Sequence, residues 1–106
     1  METEYQRDNK VLIFKITDEL DHHTVEKIRR KADYEIEKYI PRKVVFDLER
    51  VSFMDSAGIG LILGRYKNIS ILGGKLEVIN VTQAINKILV MSGISKLISI
   101  NKEECA

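Results

Sequence analysis

Short β-branched runs alternate with stretches of helical periodicity along this chain, and that alternation limits the fold more than any other feature. Val11-Leu12-Ile13-Phe14-Lys15-Ile16, Lys43-Val44-Val45-Phe46-Asp47-Leu48, Leu76-Glu77-Val78-Ile79 and Leu97-Ile98-Ser99-Ile100 read as strands. Between them, apolar side chains recur at helical spacing. The first set is Val25, Ile28, Ala32, Ile36 and Tyr39/Ile40, the second Ile59, Ile62, Leu63, Tyr66 and Ile69, and the third Ile85, Ile88 and Leu89. Residues 3–7 predict a short edge strand, joined to the 11–16 run by the turn formers Asp8 and Asn9. The order is ββαβαβαβ. Strands separated by helices cannot pair through tight hairpins, so they lie parallel and bury a face under the helices. The expected fold class is therefore α/β, a mostly parallel mixed β-sheet with an N-terminal hairpin, covered by α-helices.

Local chemistry places the helix ends. Asp21 is a candidate N-cap of the first helix, since its carboxylate can accept from a free amide of the first turn, and Pro41 marks the stop. Gly73-Gly74 ends the second helix. Thr82 can cap the third, which stops near Gly93.

At 106 residues the chain suits one domain, 1–106, with a hydrophobic fraction of 44% that argues against disorder. Lys plus Arg number 17 against 16 Asp plus Glu, a net charge of +1, so composition excludes a strongly basic nucleic-acid binder. The single cysteine, Cys105, can form no internal disulfide and no zinc cluster, which predicts a reduced, cytoplasmic setting. Met1-Glu2-Thr3-Glu4 lacks an apolar signal core, and no run approaches the ~18 apolar residues of a membrane span.

The segment Phe53-Met54-Asp55-Ser56-Ala57-Gly58-Ile59-Gly60 falls between a strand and a helix, where α/β proteins place ligand sites. Ser56 is expected at or beside the N-cap, where free amides and the helix dipole favour an anion such as a phosphate. Gly58 and Gly60 carry no side chain, which allows another molecule's backbone to approach, and an exposed Ile59 or Leu61 would offer it apolar contact. The same residues also suit an ordinary capping serine with packing glycines. Other chemistries fit less well. A nucleophile elbow needs Gly two positions before the serine, where Met54 stands, and nothing in the sequence brings His22 or His23 beside Ser56. Asp55 as a phosphoacceptor would need a metal held by further carboxylates, for which Asp18, Glu19 and Asp21 are the available set. Adjacent His22 and His23 are expected to point apart, as solvated or capping residues rather than metal ligands. Lys27, Arg29, Arg30 and Lys31, interleaved with Glu26 and Glu35, read as a solvated helix face.

The Phe53–Gly60 segment, continuing through Ile62-Leu63-Gly64-Arg65-Tyr66-Lys67, resembles the anti-sigma factor antagonists with the STAS fold. Glu19-Leu20-Asp21-His22-His23-Thr24 resembles the sporulation branch of that family, and Met91-Ser92-Gly93-Ile94 matches its third-helix ending; the similarity spans about residues 5–100. The resemblance implies a switch rather than an enzyme. The serine matching Ser56 is the phosphorylation site of an anti-sigma factor serine kinase, the unphosphorylated form binds that kinase and frees the sigma factor, and a serine phosphatase regenerates it. No cofactor is implied, since ATP is used by the partner kinase. Asp55, Ser56, Ala57, Gly58, Ile59, Gly60 and Leu61 carry over as the partner-binding segment. The chain departs from the pattern at Asp18, where relatives often have Gly, and at Ala57, which replaces a frequent second serine. The tail after Ile100 is short, so a complete C-terminal helix is not expected.

Overall fold

The computed structural model describes residues 1–102. Strands β1 (Glu2–Gln6) and β2 (Val11–Lys15) form the expected antiparallel hairpin. Strands β3 (Lys43–Asp47), β4 (Lys75–Val81) and β5 (Ser99–Lys102) complete a five-stranded sheet in the order β1-β2-β3-β4-β5, with β2 to β5 parallel. Each parallel step crosses over through a helix: α1 (Val25–Tyr39), α2 (Ser56–Ile71) and α3 (Gln83–Met91). Neighbouring strands follow chain order and such crossovers are right-handed, so the three helices cover one face.

Strand alternation matches that arrangement. Leu12, Phe14, Val44, Phe46, Leu76 and Val78 join one core with Ile28, Ala32 and Ile36 of α1, Ile62 and Ile69 of α2, and Ile85 and Leu89 of α3. Each fully buried aliphatic or aromatic side chain of this kind contributes roughly 1.5–3 kcal/mol. The alternate residues Ile13, Lys43, Glu77 and Ile79 lie on the opposite face and keep partial exposure.

Strand β1 lies one residue earlier than expected and β4 is longer at both ends, and three further features differ in kind. Asp21 does not cap α1. Its carboxylate accepts from the amide of His23 at 2.9 Å, closing a turn that precedes the helix, while Thr24 occupies the cap position without a side-chain cap bond. Thr24 instead donates its hydroxyl to the Glu19 carbonyl, tying the turn together. Ile40 is not part of the inward face. Pro41 disfavours helical geometry at the residue before it, and Ile40 turns left-handed at φ 45°, exposed, with its amide still bonded to the Ile36 carbonyl. The last strand starts later than expected. A 3-10 turn at Ile94–Lys96 follows Gly93, whose φ of 84° reverses the chain, so Leu97 stays exposed and β5 begins at Ser99. Cys105 and the rest of the C-terminal tail lie outside the described residues.

Candidate functional site

The loops that precede α1 and α2 are zipped to one another. Leu20 and Met54 form a parallel bridge, in which the Leu20 amide donates to the Phe53 carbonyl and the Asp55 amide donates to the Leu20 carbonyl, both at 3.1 Å. Leu20 and Met54 are themselves buried, which anchors the bridge to the core. Two helix starts separated by some thirty positions in sequence are thereby placed side by side.

Asp55 occupies the N-cap of α2. One carboxylate oxygen, Oδ1, accepts from the Ala57 amide at 2.8 Å. The other, Oδ2, accepts from the His22 amide at 3.2 Å and faces His22 Nδ1 at 3.3 Å. Burial pushes the Asp55 carboxyl upward, but hydrogen bonds from the His22 ring and from the backbone amides of Ala57, His22 and Gly58 outweigh it and hold the group below the usual carboxylate range. Asp55 therefore serves as a charged clasp between the loops, and both of its oxygens are engaged.

Ser56 is the first residue of α2, one position past the cap. It is exposed, and its hydroxyl makes no hydrogen bond among the described residues. Ser56 is therefore not the capping residue: Asp55 caps, and Ser56 presents a free hydroxyl beside it. Phe53 projects into solvent nearby at 53% exposure. Ser52 donates to the Glu19 carboxylate at 3.0 Å, a second side-chain link between the loops.

Within the segment proposed to meet a partner, the structure separates surface from packing. Gly60 is exposed, and a Cβ there would meet nothing within 4 Å. Ala57 and Ile59 are half-buried. Gly58 and Leu61 require correction. A Cβ on Gly58 would lie 2.6 Å from Met54 Cγ and 2.8 Å from the Leu20 carbonyl oxygen, so this glycine serves the loop zipper and not an approaching molecule. Leu61 is only 4% exposed and packs in the core. The expectation that His22 and His23 diverge is also corrected. Their rings lie 3.9 Å apart, each with Nδ1 toward a carboxylate, His22 on Asp55 and His23 on Asp21. Glu26 holds both Arg29 and Arg30, as expected of a solvated helix face. Glu19 is committed to Ser52 and Asp21 to the His23 turn, and among the described residues no three His, Cys, Asp or Glu are grouped to hold a metal ion.

The sequence reading missed His22, because only the Leu20–Met54 bridge brings it to Asp55. It also missed that Arg65 is buried, with Nε 2.9 Å from Asp33 Oδ1. A basic residue in a helix that is apolar on more than one face was the available signal.

Residues 2–104 match the STAS domain model. The chain belongs to the STAS family of anti-sigma factor antagonists. An anti-sigma F factor antagonist of Paenibacillus polymyxa is 38% identical over 98% of this STAS chain and 89% of its own length. The anti-sigma factor antagonist SpoIIAA in its unphosphorylated form superposes with a TM-score of 0.80 at 30% identity, covering 96% of this chain and 88% of that one. The Bacillus cell fate determinant SpoIIAA in the phosphorylated form gives a TM-score of 0.71, also at 30% identity, over 96% and 91%. The STAS sheet and helices thus match solved relatives in both covalent states. No helix among the described residues is long and apolar enough to cross a membrane.

Proposed function

We propose that this STAS domain is an anti-anti-sigma factor whose state is set at Ser56. Unphosphorylated, it binds an anti-sigma factor serine kinase in the cytoplasm and releases the sporulation sigma factor. The kinase transfers the γ-phosphoryl group of ATP to the Ser56 oxygen, ADP leaves with the bridging oxygen, and the hydroxyl proton passes to a kinase base. A serine phosphatase later hydrolyses the ester and restores the hydroxyl. The domain itself supplies a substrate and a binding surface, not catalysis.

The observation that carries this reading is the free, exposed Ser56 hydroxyl at the first position of α2, next to a capping carboxylate that leaves it unbonded. Similarity to antagonists of anti-sigma F factor supports the choice of partner. Asp55 is the rival phosphoacceptor, and its two engaged oxygens disfavour it. Incubation with the host's anti-sigma kinase and ATP, followed by mass spectrometry, tests the assignment. An acid-stable phosphate on Ser56, absent from Ser56→Ala, is expected. A hydroxylamine-labile phosphate on Asp55 would overturn it.

A further inference from the structure

Among the described residues Arg65 is the one buried basic side chain, at 8% side-chain exposure. Its Nε sits 2.9 Å from Asp33 Oδ1, but the N–H does not point at that oxygen, and among the described residues neither Nε nor Nη1 has a hydrogen-bond partner. Asp33 is shared, since Arg29 Nη1 approaches its other oxygen at 3.6 Å. Glu26 is taken up by Arg29 and Arg30. Across the α1–α2 seam Arg65 therefore has to share Asp33 with Arg29, while Glu26 is divided between Arg29 and the exposed Arg30. A buried, unsatisfied guanidinium is costly, and such groups persist where something else satisfies them.

A cleft of about 130 Å³ opens onto this group, lined by Val25, Glu26, Arg29, Ala57, Gly60, Leu61 and Arg65. It lies along the first turns of α2, one helical turn from Ser56. Gly60 leaves its mouth open, because no side chain stands there and a Cβ would meet nothing. The volume suits a carboxylate, and a guanidinium presents paired donors that match one. Ser56 does not line the cleft, so a phosphate on its own hydroxyl is the less suited occupant.

We infer that the α1–α2 cleft is an anchor point for the protein partner, receiving an Asp or Glu side chain that passes Gly60 and pairs with Arg65 and Arg29. This rests on the anti-sigma antagonist reading and adds to it a specific contact chemistry. Phosphorylation of Ser56 would then act at a site whose affinity is set partly one turn away.

The test uses the full chain and the host's purified anti-sigma kinase. Arg65 is first observed in the unmodified protein through its side-chain Nε–Hε resonance, which needs no substitution. A large downfield shift and slowed solvent exchange at saturating kinase are expected, while a merely structural arginine would stay where it is. Arg65→Met should then keep the circular dichroism spectrum and bind the kinase at least tenfold more weakly than the parent does. An unmoved Arg65 resonance in the saturated complex, or Arg65→Met affinity within twofold of the parent, overturns the inference. Failure of the unmodified chain to bind any anti-sigma kinase would instead remove the functional reading beneath it, and the inference with it.

Discussion

The starts of α2 and α3 use the same capping chemistry for different ends. Both follow a parallel strand, and both place an oxygen-bearing side chain at the cap in extended geometry. Thr82 accepts from the Ile85 amide within its own first turn, and among the described residues nothing outside that turn uses its hydroxyl. Asp55 accepts from Ala57 but also from His22, so its cap fastens α2 to the loop before α1. The third helical residue shows the same contrast. In α3 it is Ile85, buried at 1% exposure to hold the helix on the sheet. In α2 it is Gly58, where the neighbouring loop takes the space a side chain would need. One helix start stabilises only itself. The other is braced from outside, which frees Ser56 from any structural duty and keeps it in a fixed, exposed position.

The largest expected effect comes from filling the space at Gly58. Gly58→Val would drive a branched side chain into Met54 and the Leu20 carbonyl, with backbone on one side unable to yield. A loss of about 3 kcal/mol in urea denaturation is expected, as for overpacking of a tight core. Gly60→Ala, two positions on, should be neutral or slightly stabilising, because the site is open and alanine is the better helix former. Equal tolerance of the two substitutions would show that the loop zipper is not as tight as described.

Next come the caps. Thr82→Ala should cost about 1 kcal/mol, the ordinary value for a lost N-cap. Asp55→Ala should lower the unfolding midpoint further, since it removes contacts to two segments at once. A double-mutant cycle sharpens the contrast: His22→Ala should couple to Asp55→Ala and combine additively with Thr82→Ala. Coupling between His22 and Thr82 would contradict the picture of an isolated α3 cap.

The two caps also explain what was legible in the sequence. Thr82 and the third helix could be read directly, because that cap is local and its partner lies three residues on. The succession of elements along the chain, the hairpin and the α/β class were legible for the same reason: period and turn residues act over a few positions. Asp55 as a clasp was not. It depends on the Leu20–Met54 bridge across a separation that no local pattern encodes, and the bridge in turn decides the environment of His22 and Gly58. Asp21 misled because a capping carboxylate and a turn-closing carboxylate look alike in sequence. Leu61 misled because α2 is apolar on several sides, and only the position of α1 determines which side is covered.

Acid should separate the helix starts again, by a smaller amount. The folded-state pKa of Asp55 is depressed, so between its folded and unfolded values the unfolded chain binds the extra proton. Its stabilising contribution is present above the ordinary carboxylate range and is lost as pH falls through the depressed folded value. Amide exchange at Ala57 and Gly58 should therefore accelerate relative to Ile85 on acidification, with the difference abolished in Asp55→Asn. Parallel acceleration at Ile85 would mean that acid loosens the whole domain and not the clasp.

The smallest effect on the fold, and the most informative about the switch, belongs to Ser56. Its hydroxyl holds nothing, and alanine is well suited to the first turn, so Ser56→Ala should change stability by no more than about 0.5 kcal/mol. That is less than the loss at Thr82, although both positions are hydroxyl-bearing residues at a helix start. Phosphorylation adds ~1.5 to 2 negative charges at neutral pH. The α2 dipole favours that charge, while the Asp55 carboxylate next to it, which already takes the Ala57 amide, opposes it. The opposing terms are both local, so no rearrangement of the sheet is required. A partner that closes over a neutral hydroxyl needs to lose only ~1.4 kcal/mol to bind tenfold more weakly. Amide chemical shifts on phosphorylation should accordingly move in the first turn of α2 and, through the Asp55 clasp, around His22. The start of α3 serves as the internal reference, and shifts of comparable size at Thr82 and Ile85 would replace a local electrostatic block with a change that spreads through the sheet.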